Sequence, residues 1–428
     1  MAQKKRVMVV GSGAREHALC WKLSQSPEIE QLWCAPGNAG TMAHATSVRV
    51  AIDDTAALVS FAQEHRVDLV VIGPEGPLVS GLVDALEHAG ISAFGPRQAA
   101  ARLEGSKVFS KEFMRRWNIP TAPFNVFTDA AEAVRHVEHS KGPVVVKADG
   151  LAGGKGVVVA DSSEEATAGI RRIMEARVFG AAGEAIVIED RLYGQEVSYH
   201  VISDGTHFVR LASAQDHKRL LDGDLGPNTG GMGAYSPAPI VTPRLETTIM
   251  DEVVEPTLRG MAQEGAPFRG ALFVGLMIVD DKPVVLEYNV RFGDPEAEVM
   301  LARLRGDLFP LLWGSARGAV GEDALVWGAP ASLCVVLAAN GYPGAVSVNN
   351  RIAGLDRASR MPGVHVFHGG TQGDGGAPVT SGGRVLTVTA VGDAMSEARR
   401  RAYEAVDVIH FDGAQCRRDI GRRILGHS

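Results

Sequence analysis

Glu287-Tyr288-Asn289 closes a short apolar run and leads directly into Val290-Arg291-Phe292-Gly293-Asp294-Pro295-Glu296. If that run is a strand, its period of two places Glu287 and Asn289 on one face, each offering an oxygen. One carboxylate and one amide oxygen, completed by water and phosphate, is a common way to hold Mg²⁺ at a nucleotide site. Arg291, Asp294 and Glu296 then crowd three charges into one turn-rich segment. Such density after a hydrophobic strand favours a functional site over a surface ion-pair network.

Three further groups carry chemistry. Lys147-Ala148-Asp149-Gly150-Leu151-Ala152-Gly153-Gly154-Lys155-Gly156 sets two lysines around a glycine loop between β-branched runs. The loop suits a flap closing over a polyphosphate, and equally a mobile hairpin with solvated lysines. It is not a P-loop, because Asp149 stands where glycine is required and Gly156 where Ser or Thr would hold magnesium. Gly11-Ser12-Gly13-Ala14-Arg15-Glu16 approaches the dinucleotide fingerprint, but Glu16 occupies the third glycine position. The second strand also runs into Pro36-Gly37-Asn38 instead of ending in an acid. A nicotinamide cofactor is therefore not expected, although the loop can offer N–H groups to a phosphate at a helix N-terminus. Asp216-His217-Lys218-Arg219 and Gly226–Gly233 form the last group, a long glycine-rich loop at 215–239 that is costly unless it wraps something. His217 is given no proton-transfer role.

The elements around these residues follow a pattern. Arg6–Val10, Leu32–Ala35, Leu69–Ile72 and Ile91–Phe94 read as strands, each ending in a Gly/Pro turn and separated by helical stretches. Strand, turn and helix in repetition predict a doubly wound parallel sheet, with ligands outside the carboxyl ends of its strands. Helix 106–117 leads to a hinge at Pro120 and Pro123. A compact α/β segment follows, with strands 144–146, 157–160 and 185–188 and a helix 163–174. Strands 196–202, 272–279 and 284–288 come next. After Gly328 the pattern turns antiparallel and ends in a helix near 394–406, with Met395, Ala398, Ala402 and Ala405 on one face. The expected division is 1–104, 105–328 with a compact α/β segment at about 123–193 (the lid, on the resemblance described below), and 329–428.

The composition excludes several classes. With 428 residues, 45% hydrophobic and 22% charged, the chain is globular, enough for about two or three domains. Lys and Arg number 43 against 50 Asp and Glu, a net charge of −7, so neither nucleic acid nor an anionic membrane is an expected partner. No apolar stretch approaches the ~20 residues that span a bilayer. Cys20, Cys34, Cys334 and Cys416 are too far apart for a zinc pattern and read as reduced thiols. A cytoplasmic protein is expected.

Taken together, these segments resemble the glycinamide ribonucleotide synthetase (phosphoribosylamine–glycine ligase) family of the ATP-grasp superfamily. The resemblance rests on GSGAREHA at 11–18, APGNAG at 35–40, IGPEGPLVSG at 72–81, LEGSK at 103–107 and VKADGLAGGKGV at 146–157. It continues through QDHKR at 215–219, GPNTGGMGAYSPAP at 226–239, EYNVRFGDPE at 287–296, GGRVLTVTA at 382–390 and CRRDIG at 416–421. QDHKR followed by the 226–239 stretch separates this family from biotin carboxylases and peptide ligases.

The resemblance implies an N-terminal α/β (pre-ATP-grasp) domain, an ATP-grasp unit with a lid subdomain, and a small mixed α/β C-terminal domain. It implies ATP-driven ligation of glycine to phosphoribosylamine, with Mg²⁺ or Mn²⁺ on Glu287 and Asn289. Lys107, Lys147 and Lys155 are expected at the ATP phosphates, Glu189 and Leu192 at the adenine, and Glu196 at the ribose. Arg291 would stabilise the acyl phosphate and Asp216 would hold glycine's ammonium. Arg291, Lys155 and Asp216 are thus the expected catalytic groups. Gly13, Asn38, Glu75, Asp294 and Glu296 would bind the ribosylamine phosphate and sugar. A stand-alone, bacterial-type chain acting as a monomer or weak homodimer is expected. The sequence departs from the family pattern at Val290, where Cys is common, at Gly153, where Ala is common, and at Glu298, where an amide is usual. The strand 271–279 also has no carboxylate to face Glu287, so a second tightly held metal is not expected.

Overall fold

The computed structural model describes residues 3–426 apart from 141, 154, 322–324 and 374–375, so Gly154 of the glycine loop lies outside the described residues. Its first sheet is parallel, with β1 (Lys5–Gly11), β2 (Ile29–Pro36), β3 (Thr46–Ser47), β4 (Leu69–Ile72) and β5 (Ser92–Phe94) in the order β3-β2-β1-β4-β5. Alternation along β1 sends Val7 and Val9 into one core and Met8 and Val10 into another. A strand apolar on both faces needs helices on both sides, which is why the sheet is doubly wound. β3, only two residues long, is too short to leave a periodic signal.

The next sheet is antiparallel and stands on its own core. β6 (Phe124–Phe127), β7 (Val144–Ala148), β8 (Val157–Ala160) and β9 (Ile186–Asp190) run in the order β6-β9-β7-β8. Val146, Ile186 and Ile188 pack there against Ala133, Val137, Ile170 and Ile173 from two helical stretches. The expected helix 163–174 is α-helical over Ser163–Ile170 and continues as a π-turn over Arg171–Glu175.

Beyond it come β10 (Gln195–Asp204) and β11 (Phe208–Arg210). The stretch expected as one long loop at 215–239 is in fact built from short strands: β12 (Gln215–Asp216), β13 (Arg219–Leu221), β14 (Leu225–Asn228) and β15 (Gly233–Ser236). Backbone N–H and C=O groups need partners, and these find them in the β13–β14 hairpin and in strands contributed elsewhere. β16 (Arg269–Val279) and β17 (Lys282–Asn289) complete a second antiparallel sheet, β11-β10-β16-β17. The C-terminal part adds β18 (Ala331–Ala338), β19 (Val364–His368), a small hairpin of β20 (Thr371–Gln372) and β21 (Val379–Thr380), and β22 (Arg384–Gly392). Their sheet reads β12-β15-β18-β22-β19, so the middle of the chain supplies two of its strands. The helix Met395–Val406 covers it with Ala398, Ala402 and Ala405, as the spacing requires.

Candidate active site

A cavity of about 610 Å³ opens between β7–β8 and their glycine loop, the face of β16–β17, and loops of the N-terminal part. β17 forms its floor. Glu287 lies opposite Gly275 and Asn289 opposite Phe273, so no carboxylate faces Glu287 across the sheet. Lys107 Nζ donates to Glu287 Oε2 at 3.0 Å and Lys218 Nζ stands 4.0 Å from Oε1. Lys107 foremost holds the Glu287 carboxyl far below its usual range, against the effect of burial, so it is ionised. Asn289 is buried. Its Oδ1 accepts from Arg291 at 3.0 Å, while its Nδ2 has no partner.

The ionised Glu287 carboxylate and the Asn289 Oδ1, which has a second lone pair beyond its bond from Arg291, are oxygen donors on one strand face that fit a hard divalent cation taking its other ligands from phosphate and water. Among the described residues, no group of three or more His, Cys, Asp or Glu side chains could hold a metal. The donor set therefore suits a cation that arrives with a nucleotide.

Lys107 begins the helix Lys107–Arg116, capped by Ser106 Oγ accepting from the Phe109 amide at 3.0 Å. Asp149, at the root of the glycine loop, accepts from Ser106 Oγ at 2.8 Å and from the Val108 amide at 3.0 Å. The loop is thereby tied to the helix start. Lys147 donates to the Leu286 carbonyl at 3.0 Å and pairs with buried Glu189, which also pairs with Lys111. Burial and then neighbouring Lys147 push Lys111 down to about 8. Val145, Val159, Leu192, Phe273, Met277 and Leu286 make an apolar wall beside these lysines.

Next to Asn289 the cavity is dominated by Arg291. Its guanidinium meets Glu75 at 3.2 Å and Glu104 at 3.0 Å, and Glu104 also accepts from the Val290 amide at 2.7 Å. Burial would raise Glu75, but Arg291 and Arg15 overcome it and bring it to about 2. Arg384 pairs with Asp294 at 3.1 Å, and Glu296 accepts from Ser198 at 2.8 Å. His200, kept neutral at a pKa of about 3 chiefly by burial, accepts from the Gly293 amide at 3.2 Å and stacks on Phe273. Burial raises Asp216 to about 8, with Lys218 opposing and Glu296 adding to the shift. Lys218 also pairs with Glu196 at 3.1 Å.

Of the sequence-predicted site residues, Glu75, Lys107, Lys147, Glu189, Leu192, Glu196, Asp216, Glu287, Asn289, Arg291, Asp294 and Glu296 all line this one cavity. Lys155 does not; it is exposed on the loop. Gly13 and Asn38 do not reach the wall either. The Gly13 amide donates to Glu16 at 2.6 Å, and a Cβ on Gly13 would sit 3.3 Å from Asp294 Oδ2. Asn38 Nδ2 is engaged by the carbonyls of Ser12, Gly13 and His368. Arg15, Glu104, Lys218 and Arg384 line the cavity without having been singled out. All four lie inside the motif stretches at 11–18, 103–107, 215–219 and 382–390. Only their pairing across the fold distinguishes them.

Two sheets clasping a cavity, with buried lysines beside a glycine-rich loop, an acid–amide pair on the floor strand and an arginine just beyond it, define an ATP-grasp ligase. Residues 5–104 match the phosphoribosylglycinamide synthetase N domain, 105–297 its ATP-grasp (A) domain and 332–423 its C domain. The chain belongs to the phosphoribosylglycinamide synthetase family. It is 51% identical over 415 residues to the phosphoribosylamine–glycine ligase of Mesorhizobium japonicum, covering 97% of each chain. It is 50% identical over 416 residues to that of Agrobacterium fabrum, covering 97% of this chain and 98% of the other. The crystal structure of the Thermotoga maritima phosphoribosylamine–glycine ligase superposes with a TM-score of 0.84 at 35% identity, covering 97% of this chain and 99% of that one. A Campylobacter jejuni biotin carboxylase, 14% identical with a TM-score of 0.73 over 96% of this chain and 93% of its own, shares the fold.

Proposed function

We propose that the protein joins glycine to 5-phospho-D-ribosylamine while ATP is cleaved to ADP and phosphate, giving glycinamide ribonucleotide in the second step of de novo purine synthesis. The observation that carries this reading is that one cavity holds both halves of the chemistry. Lys107, Lys147 and the Glu287–Asn289 pair line it together with Arg291, Asp216, Asp294 and Glu296, and Arg291 touches Asn289 directly at 3.0 Å. Glycine's carboxylate is a poor electrophile. Transfer of the terminal phosphoryl of ATP to a carboxylate oxygen gives glycyl phosphate. The ribosylamine nitrogen then attacks the acyl carbon, loses a proton, and phosphate departs with the carbon–oxygen bond electrons. No nucleophilic side chain is required; positioning and charge neutralisation do the catalysis.

In this reading Lys107 and Lys147 contact the ATP phosphates, and Lys155 joins them when loop 150–156 closes. Leu192 borders the adenine, with Glu189 holding Lys147 in place beside it, and Glu196 accepts from the ribose hydroxyls. Glu287 and Asn289 would hold Mg²⁺ or Mn²⁺, which when bound neutralises phosphate charge. Arg291 faces the acyl phosphate and Asp216 the glycine ammonium. Glu75, Asp294 and Glu296 bind the ribosylamine, and Gly13 and Asn38 shape the loops behind them. A monomer or weak homodimer in the cytoplasm is the proposed setting, which suits four unpaired thiols.

The test is phosphate release by the purified chain with Mg²⁺, ATP, glycine and freshly made phosphoribosylamine, with mass spectrometry of the product. Release should require all three substrates and yield glycinamide ribonucleotide. ATP binding without glycine-dependent product would instead favour a nucleotide-binding module without turnover.

A further inference from the structure

Glu298 lies in the first turn of the helix Glu296–Arg303, directly behind the segment that carries Asp294 and Glu296. It is fully buried, and neither carboxylate oxygen has a hydrogen-bond partner. The helix packs on β15, β18 and β22 and also on the helix Ala14–Leu23, where Ala297, Met300 and Leu301 join the core that holds Ala14, Ala18 and Leu19. The titratable and charged groups acting on Glu298 are Asp294 and Glu296 from its own segment, Arg384 from β22 and Cys334 from β18. β15 presents Ala234 to the Val299–Cys334 cluster and turns Tyr235 into a different core.

The one cation in this set is already committed. Arg384 donates to the Gly230 carbonyl at 2.7 Å and the Asp294 carbonyl at 2.6 Å, and pairs with the Asp294 carboxylate at 3.1 Å. A buried carboxylate without a partner is among the costliest groups a fold can contain, and a proton removes the cost. Burial first and Asp294 next push Glu298 well above the usual carboxyl range, with the nearby Glu298 amide and then Arg384 opposing.

We propose that Glu298 is a neutral carboxylic acid whose proton keeps Arg384 committed to Asp294, making it a pH-sensitive positioning residue for the substrate end of the cavity. This rests on the assignment of Asp294 to the ribosylamine. Loss of the proton would set a second carboxylate competing for Arg384. The tie that joins Gly230 and Asp294 would loosen, and the ribosylamine would bind less tightly. The departure at this position is thus a change of group without a change of charge.

Glu298→Gln keeps the shape and has no proton to lose. The unfolded chain releases the Glu298 proton near the ordinary carboxyl pKa while the folded chain retains it, so wild-type stability falls as pH rises above that value. The variant is spared this fall. Calorimetry of the full chain from about pH 5 to about pH 9 should show a Tm gap in favour of the variant that widens with pH, the wild-type folding constant losing about tenfold per pH unit relative to it. Parallel Tm curves would overturn the proposal. Infrared difference spectra should show a protonated carboxyl stretch at neutral pH that Glu298→Gln lacks; no such difference would also overturn it. Neither measurement contains substrate, so failure of the ligase reading would leave both intact. In turnover, wild type should show an alkaline rise in the KM for phosphoribosylamine that the variant lacks. A rise shared by both would remove the positioning role.

Discussion

Arg291 is gripped from two sides, by Glu75 and Glu104, and it also donates to the Asn289 oxygen and the Phe292 carbonyl. Burial opposes its charge, but Glu104 and Glu75 more than compensate, so it stays cationic and held in place, as the proposed role at the acyl phosphate requires. Arg291→Ala should lower turnover roughly 10²-fold or more with little change in ATP affinity, measured by single-turnover phosphate release. It also leaves Glu104 buried without its cation, which costs about 3–5 kcal/mol. Adding Glu104→Gln should recover Tm but not turnover. Asp216 makes a different prediction. Its pKa of about 8 in the free protein means that it holds a proton at neutral pH, which glycine's ammonium would have to displace in the proposed role. The sign follows: affinity for glycine should improve as pH rises toward that value, by at most about tenfold per unit. Steady-state KM for glycine across this range checks it, with Asp216→Asn giving a high and flat profile. The residue types at both positions were legible in the sequence. Their partners were not, because Glu75 and Glu104 lie 216 and 187 residues from Arg291 in the chain.

Among the elements, β17 and the glycine loop behave as their local patterns require. Alternation along β17 puts Glu287 and Asn289 on the cavity face, and the loop joins β7 to β8 with Asp149 anchored at its root. Gly150 adopts φ +143°, and a Cβ there would lie 2.7 Å from the Ala182 Cβ. Gly150→Ala therefore strains the loop twice. The expected result is a loss of roughly tenfold in kcat/KM for ATP, from about 1–3 kcal/mol of backbone strain, with thermal stability changed less than activity. Equal loss of both would place the glycine in folding rather than in loop closure. The 215–239 segment is where element-level reading fell short. Two- to four-residue strands carry too little periodicity to announce themselves, and β12 and β15 are strands only because β18 offers β15 an edge a hundred residues later.

At the scale of the molecule, a few polar ties hold the parts in register around the cavity. Asn38 Nδ2 donates to the Ser12, Gly13 and His368 carbonyls, while its Oδ1 accepts from the Gly40 and Thr41 amides. Lys22 reaches the Leu304 carbonyl at 2.5 Å, and Arg384 ties the C-terminal sheet to the 230 and 294 loops. Asn38→Ala leaves buried groups without partners and should cost about 1–3 kcal/mol. It should lower Tm by calorimetry and raise the KM for phosphoribosylamine while sparing that for ATP. The sequence by itself determined the parallel N-terminal sheet, the lysine-flanked loop and the acid–amide pair, because each depends on neighbours within a few residues and on a fixed backbone period. Only the tertiary structure decided which carboxylates hold Arg291, that Lys155 stands clear of the cavity, and that Glu298 is sealed away from every partner. A charge's partner and its access to water are set by whatever packs against it, and here that comes from distant parts of the chain.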